Sequence, residues 1–112
     1  MVRKPSPAVF RSQELDRLLK AQNPQSKLRR WIADMENVLM EHMYAGDMIK
    51  KNQIPSYYTK KYGVNVLFRY AHPEGYRSCY TVLNVKGLGL CPYILDILSH
   101  EEYERIFHYR KR

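Results

Sequence analysis

Hydrophobic residues follow a helical repeat in the first part of the chain. A helix is predicted from Ser12, its N-cap, to about Gln22, and residues 23–25 break it. A longer helix begins after Ser26, another N-cap residue, and is expected to end at Gly46. The apolar positions of the two helices are Leu15, Leu18 and Leu19, then Leu28, Trp31, Ile32, Met35, Val38, Leu39 and Met43. The pattern therefore predicts a helical hairpin.

From residue 64 onward the apolar repeat changes to the alternation of β-strands. Strands are predicted from Val64 to Tyr70, from Tyr76 to Asn84 and from Cys91 to Leu98, and the last is apolar enough for a central strand. Short turns between them indicate an antiparallel meander. A short edge strand is also expected at residues 8–11, which follow two prolines.

The chain closes with a helix whose start is marked by a capping box, Ser99 to Glu102. Tyr103, Ile106 and Phe107 form its apolar face. The whole pattern predicts one α+β domain over residues 1–112, with the helical hairpin packed on one face of a twisted antiparallel sheet. The residues expected in its core are Trp31, Met35, Leu39, Phe68, Tyr80 and Ile97.

Charge points to polyanionic partners. Lys and Arg number 19 against 11 Asp and Glu, which gives a net charge of +8. No apolar run is long enough to span a membrane and no signal-peptide pattern is present, so a cytoplasmic protein without a membrane partner is expected. The histidines lack metal-ligand spacing, so no metal site is expected. Cys79 and Cys91 are expected to be reduced core thiols, and a disulfide between neighbouring strands stays open.

The segment from Asp47 to Tyr62 lacks a clear periodicity and reads as a long basic connection. Lysine pairs interleaved with tyrosines are typical of a nucleic-acid contact surface. The alternative is a solvated loop whose tyrosines pack on the sheet. The residues concerned are Lys50, Lys51, Tyr57, Tyr58, Lys60 and Lys61.

Three motifs resemble the RelE/ParE toxin superfamily. Residues 74–82, Glu-Gly-Tyr-Arg-Ser-Cys-Tyr-Thr-Val, are similar to the family's strand in which a glycine turn is followed by an arginine. Residues 94–103, Ile-Leu-Asp-Ile-Leu-Ser-His-Glu-Glu-Tyr, are similar to its closing strand and the segment after it. Lys60 and Lys61 resemble its lysine-bearing lead-in. The resemblance covers nearly the whole chain and implies a RelE-like fold.

The resemblance to the RelE branch implies a metal-independent endoribonuclease that cleaves mRNA on the ribosome, needs no cofactor and is neutralised by an acidic antitoxin. Arg77 would clamp the phosphate, His100 would act as general acid, and Lys60 and Lys61 would add positive charge. We expect these side chains to meet in one cationic pocket, on the concave, solvent-facing side of the sheet. Tyr103 is expected to stack on a base or handle a proton. The remaining expected RNA contacts are Lys50, Lys51, Tyr57, Tyr58, Arg69, Tyr109 and Arg110.

Structural alternatives remain for these residues. Arg77 can pair with Asp96 on the next strand, and His100 can be a solvated residue at the start of a helix. Two other functions share the pattern: a ParE-like toxin that poisons a topoisomerase, and a basic binding module without catalysis.

Overall fold

The computed structural model describes residues 3–107, and within that range five strands form one mixed sheet. The strands are β1 (Phe10–Arg11), β2 (Asp47–Met48), β3 (Phe68–Ala71), β4 (Arg77–Val85) and β5 (Gly89–Ile94), and their order in the sheet is β1-β5-β4-β3-β2. β3, β4 and β5 form the expected antiparallel meander. The edge strand β1 runs parallel to β5, so the prediction of a purely antiparallel sheet was wrong.

The helical hairpin packs on one face of this sheet. Helices α1 (Gln13–Lys20) and α2 (Lys27–Glu41) are N-capped as predicted, because the Ser12 and Ser26 hydroxyls accept hydrogen bonds from backbone N–H groups of their first turns. All six predicted core residues are buried and belong to the cluster between this hairpin and the sheet. The helix-on-sheet core was therefore predicted correctly.

Helix α2 ends at Glu41 rather than at Gly46, because His42 adopts an extended conformation. Gly46 has a different role. A Cβ atom at this position would lie 2.7 Å from the Arg69 carbonyl oxygen and 2.8 Å from the Tyr80 ring. The glycine therefore allows the chain to approach the sheet closely as it enters β2.

Two further helices cover the second face of the sheet. Helix α3 (Ser56–Tyr62) lies within the segment that was expected to be a loop, and it ends at Gly63, which has a φ of 68°. Helix α4 (His100–Phe107) starts at the predicted capping box, with both reciprocal hydrogen bonds between Ser99 and Glu102. A second apolar cluster joins α3 and α4 to Cys79 and Leu95. This face is therefore not the open, solvent-facing surface that was expected.

Both cysteines are buried, free thiols, so no disulfide joins the strands. Within residues 3–107, no helix is long and apolar enough to cross a membrane.

Candidate nucleic-acid interface

An open cleft of about 410 Å³ lies on the second face of the sheet, between the β2–β3 edge and helix α4. We call it the basic cleft. Its lining residues are Met48, Ile49, Lys50, Gln53, Arg69, Tyr103 and Phe107. They include two cations and no acidic residue, so among the described residues the walls of the cleft favour an anion.

Arg69 is held in the cleft by the hydroxyl of Tyr103. Its Nη1 donates a hydrogen bond of 2.7 Å to the Tyr103 oxygen, and this bond raises the pKa of Arg69. Asp47 approaches Nη2 only to 3.9 Å, and its side chain is 82% exposed, so water screens this pair. Arg69 is therefore a positioned cation whose charge remains largely available to a ligand.

Arg77 contacts the same tyrosine from the neighbouring strand. Arg69 pairs with Cys79 in the β3–β4 register, and Arg77 pairs with Ala71, so the two arginines are diagonal neighbours on one face. The Arg77 guanidinium carbon lies 5.3 Å from the centre of the Tyr103 ring. Arg77 also donates a hydrogen bond of 3.0 Å to the Gly75 carbonyl oxygen. We call Arg69, Arg77 and Tyr103 the Tyr103 cluster.

His100 follows Gly75 by 25 residues in the sequence, but the fold brings the two residues together. A Cβ atom at Gly75 would be 3.4 Å from the His100 Cβ, so His100 and Arg77 both border this glycine. The His100 side chain is 61% exposed, and its Nε2 is 3.8 Å from a Glu104 carboxylate oxygen. Its open position is compatible with proton transfer and equally with the solvated helix start considered as its alternative.

The two lysines predicted for the same pocket are engaged elsewhere. Lys61 forms an ion pair of 2.7 Å with Glu14 of α1 and donates a hydrogen bond to the Tyr57 hydroxyl. The contact with Lys61 lowers the pKa of the Glu14 carboxyl group. Lys60 is exposed on α3. No contact within residues 3–107 joins either lysine to Arg77, so the single pocket of Arg77, His100, Lys60 and Lys61 is not formed.

Tyr58 was expected to contact RNA, and this prediction was wrong. Its side chain is fully buried between α3 and the sheet. Its hydroxyl donates a hydrogen bond of 2.7 Å to the Asp96 carboxylate, which also accepts one of 2.9 Å from the Cys79 backbone N–H. We call these three residues the Asp96 network. Because Asp96 is bound in this way, the alternative pairing of Arg77 with Asp96 is also wrong.

The other expected RNA contacts are dispersed. Lys50 lines the basic cleft, whereas Lys51 is exposed beside it and does not line it. Tyr57 is 40% exposed, but it lies beside Lys61 and a different cleft near α1. Tyr103 is only 6% exposed and its ring packs on Phe107, so it supports Arg69 rather than offering a stacking face. Tyr109 and Arg110 lie outside the described residues.

The sequence pattern did not indicate the apolar wall of the basic cleft or the position of Gln53 in it. The i, i+4 spacing of Tyr103 and Phe107 placed both on the apolar face of the terminal helix, but it did not indicate that this face borders a cleft. Gln53 carried no signal, because it lies in a segment without periodicity. Among residues 3–107, no three His, Cys, Asp or Glu side chains are grouped as metal ligands.

Comparison with known proteins gives no assignment: no protein-family model, curated protein or solved structure matches the chain significantly.

Proposed function

We propose that this chain is a RelE-like toxin that binds messenger RNA through the basic cleft and cleaves it on the ribosome. The observation that carries the proposal is the Tyr103 cluster, in which one buried tyrosine contacts two arginines at a cleft without acidic lining residues.

The first step is phosphate binding. Lys50 and Arg69 line the same cleft, and within the described residues Lys50 has no ion-pair partner. Arg69 can present two N–H groups to phosphate oxygens in the fork geometry that a lysine lacks. Because Tyr103 already fixes its guanidinium, little side-chain entropy is lost when the phosphate binds.

The second step is in-line attack of the RNA 2′-hydroxyl on the adjacent phosphorus, without a metal. The P–O bond to the 2′ oxygen forms as the P–O bond to the departing 5′ oxygen breaks, which leaves a 2′,3′-cyclic phosphate and a 5′-hydroxyl. Arg77 and Arg69 stabilise the charge on the phosphorane oxygens. The 2′-hydroxyl passes its proton to a water molecule, and His100 donates a proton to the leaving 5′ oxygen. The ribosome holds the mRNA in the extended geometry that the attack requires.

The resemblance of residues 74–82 and 94–103 to RelE-like motifs supports this function over other uses of a basic cleft. It also supports an acidic, partly disordered antitoxin as partner. Such a segment would cover the basic cleft by charge complementarity and fold as it binds.

A translation extract tests the proposal. Purified chain is added to an mRNA with or without ribosomes, and RNA 5′ ends are mapped by primer extension. We expect cuts only when ribosomes occupy the message, with 5′-hydroxyl ends. Intact mRNA under both conditions contradicts the proposal, and inhibition of DNA supercoiling by the same preparation would indicate the ParE-like alternative.

A further inference from the structure

The basic cleft is larger than a phosphate group requires, and its walls are partly cationic and partly apolar. Its volume of about 410 Å³ falls in the range of small-ligand sites. One part is formed by Lys50, Arg69 and Tyr103, and the apolar part is formed by Ile49 and Phe107. A site with cationic and apolar walls side by side suits a whole nucleotide, whose phosphate is charged and whose base is flat and apolar on its faces.

The apolar wall can hold a base but cannot choose one. Phe107 stacks on Tyr103 with ring centroids 4.3 Å apart and an interplanar angle of 21°, so its ring is supported from behind. Ile49 and Phe107 pack against the same cluster on the second face of the sheet, and together they form the apolar wall of the cleft. Stacking on such groups tolerates every base, because each base has a π-face. Discrimination must therefore come from a polar group at the edge of the base.

Gln53 is that polar group. It ends the short 3-10 segment Lys51–Gln53, and its backbone N–H donates a hydrogen bond of 2.8 Å to the Lys50 carbonyl oxygen. The segment is fixed to the sheet just before it, because the Ile49 N–H bonds to the Leu67 carbonyl oxygen at 2.9 Å. The side-chain amide of Gln53 has no hydrogen-bond partner within residues 3–107, so its N–H donors and its oxygen acceptor remain available in the cleft.

We propose that the basic cleft binds one unpaired adenine nucleotide of the RNA, with its phosphate on Lys50 and Arg69, its base against Ile49 and Phe107, and its N6 and N7 atoms read by the Gln53 amide. A glutamine amide matches adenine in this way because N6 donates a hydrogen bond and N7 accepts one. This inference rests on the proposed RNA-binding function and adds the identity of the base.

The test measures affinities of the full chain for fluorescently labelled oligoadenylate, oligouridylate and oligocytidylate of equal length, by anisotropy at one low salt concentration. We expect oligoadenylate to bind about tenfold more tightly than the other two. Q53A should remove this preference by weakening the binding of oligoadenylate, so that the three affinities become similar. Asn52 is an exposed amide next in the chain that does not line the cleft, so N52A is the matched control and should retain the preference.

The outcomes of this binding experiment distinguish the adenine inference from the proposed function. Equal wild-type affinities, or a preference that persists in Q53A, overturn the adenine inference. If R69A still weakens all three oligonucleotides in that case, phosphate binding by the cleft stands without base reading. If R69A weakens none of them, or if the wild type binds no oligonucleotide, the proposed function fails and the inference fails with it. Circular dichroism of each variant confirms that it is folded.

Discussion

Tyr103 shows how a buried aromatic side chain organises a charged surface. Its ring packs on Phe107 and lies beside Arg77, while its hydroxyl accepts the hydrogen bond from Arg69. The helical spacing of Tyr103 and Phe107 predicted the buried face correctly. The two arginine partners could not be predicted, because the Arg69 contact spans 34 residues and depends on how α4 packs on the sheet.

Replacing Tyr103 by Phe separates the hydroxyl from the ring. Y103F keeps the packing on Phe107 but leaves the Arg69 guanidinium without its positioning contact. A hydrogen bond to a charged group contributes about 1.5–3 kcal/mol to stability when it is buried. Because the Arg69 side chain is 40% exposed, we expect the free energy of unfolding to fall by no more than about 1.5 kcal/mol, while the loss of the positioning contact slows cleavage by about tenfold. Single-turnover cleavage and urea unfolding of Y103F measure the two effects. Wild-type cleavage rates in Y103F would show that Arg69 does not need this contact.

At the scale of elements, α3 is the main departure from the predicted structure. The sequence of α3 gives little sign of a helix. Its buried residue, Tyr58, is a tyrosine rather than an aliphatic residue, and Pro55 occupies the N-cap position without a capping side chain. Gly63 after the helix was the available signal, since glycine commonly ends a helix in the left-handed conformation. Composition alone suggested an RNA surface here, whereas the structure uses Tyr58 to attach α3 to the sheet.

The Asp96 network gives this attachment a pH dependence. Burial raises the pKa of Asp96 to about 6, although the hydrogen bonds from Tyr58 and Cys79 oppose the shift. A folded-state pKa above the unfolded value means that the folded chain binds more protons between about pH 4 and pH 6, so this group's contribution to stability falls as pH rises through that window. We expect the free energy of unfolding to fall by about 2 kcal/mol across this pH range. This is less than the full pKa shift of Asp96 implies, because its side chain keeps partial access to water.

Asp96→Asn tests this account at the scale of the element. The asparagine retains an oxygen acceptor for the Cys79 N–H and removes the buried charge. We therefore expect the free energy of unfolding of D96N to change less than that of the wild type between pH 4 and pH 6, as measured by urea titration across this range. Parallel pH profiles for the two proteins would show that Asp96 does not titrate in this window.

For the whole molecule, local pattern predicted the hairpin of helices, the meander and the helix-on-sheet core. It did not predict the parallel pairing of β1 with β5, because that pairing joins residues such as Phe10 and Tyr93 that are far apart in the sequence. It also placed the cationic residues in one pocket, whereas Lys61 is drawn to Glu14 on α1. The partners of long charged side chains depend on tertiary packing, so composition alone could not assign them.

The proposed RNA binding by a chain of net charge +8 predicts an affinity that depends on salt. Three phosphate contacts, by Lys50, Arg69 and Arg77, predict a slope of about −2 for log affinity against log salt between about 50 and 200 mM. R69A should flatten the slope by about 0.7, while R17A, which removes an exposed charge from α1 on the other side of the sheet, should leave it unchanged. Anisotropy titrations with oligouridylate measure the slope, and a flat wild-type plot would exclude a surface that reads phosphates.

The central claim is that the cationic groups around Tyr103 cleave RNA, and Arg77→Ala tests it most directly. Ribosome-dependent cleavage and thermal unfolding are measured on the same preparations of wild type, R77A, R77K and the control R17A. The account predicts that R77A cleaves about 100- to 1000-fold more slowly, with R77K recovering only part of the rate because a lysine lacks the fork of donors. The melting temperature of R77A should fall by only about 5 °C, since Arg77 is half-buried and its side chain bonds to the Gly75 carbonyl oxygen, while its backbone bonds to Leu98 do not depend on the side chain. A fully active R77A, or a loss of cleavage no larger than its loss of folded protein, would contradict the claim.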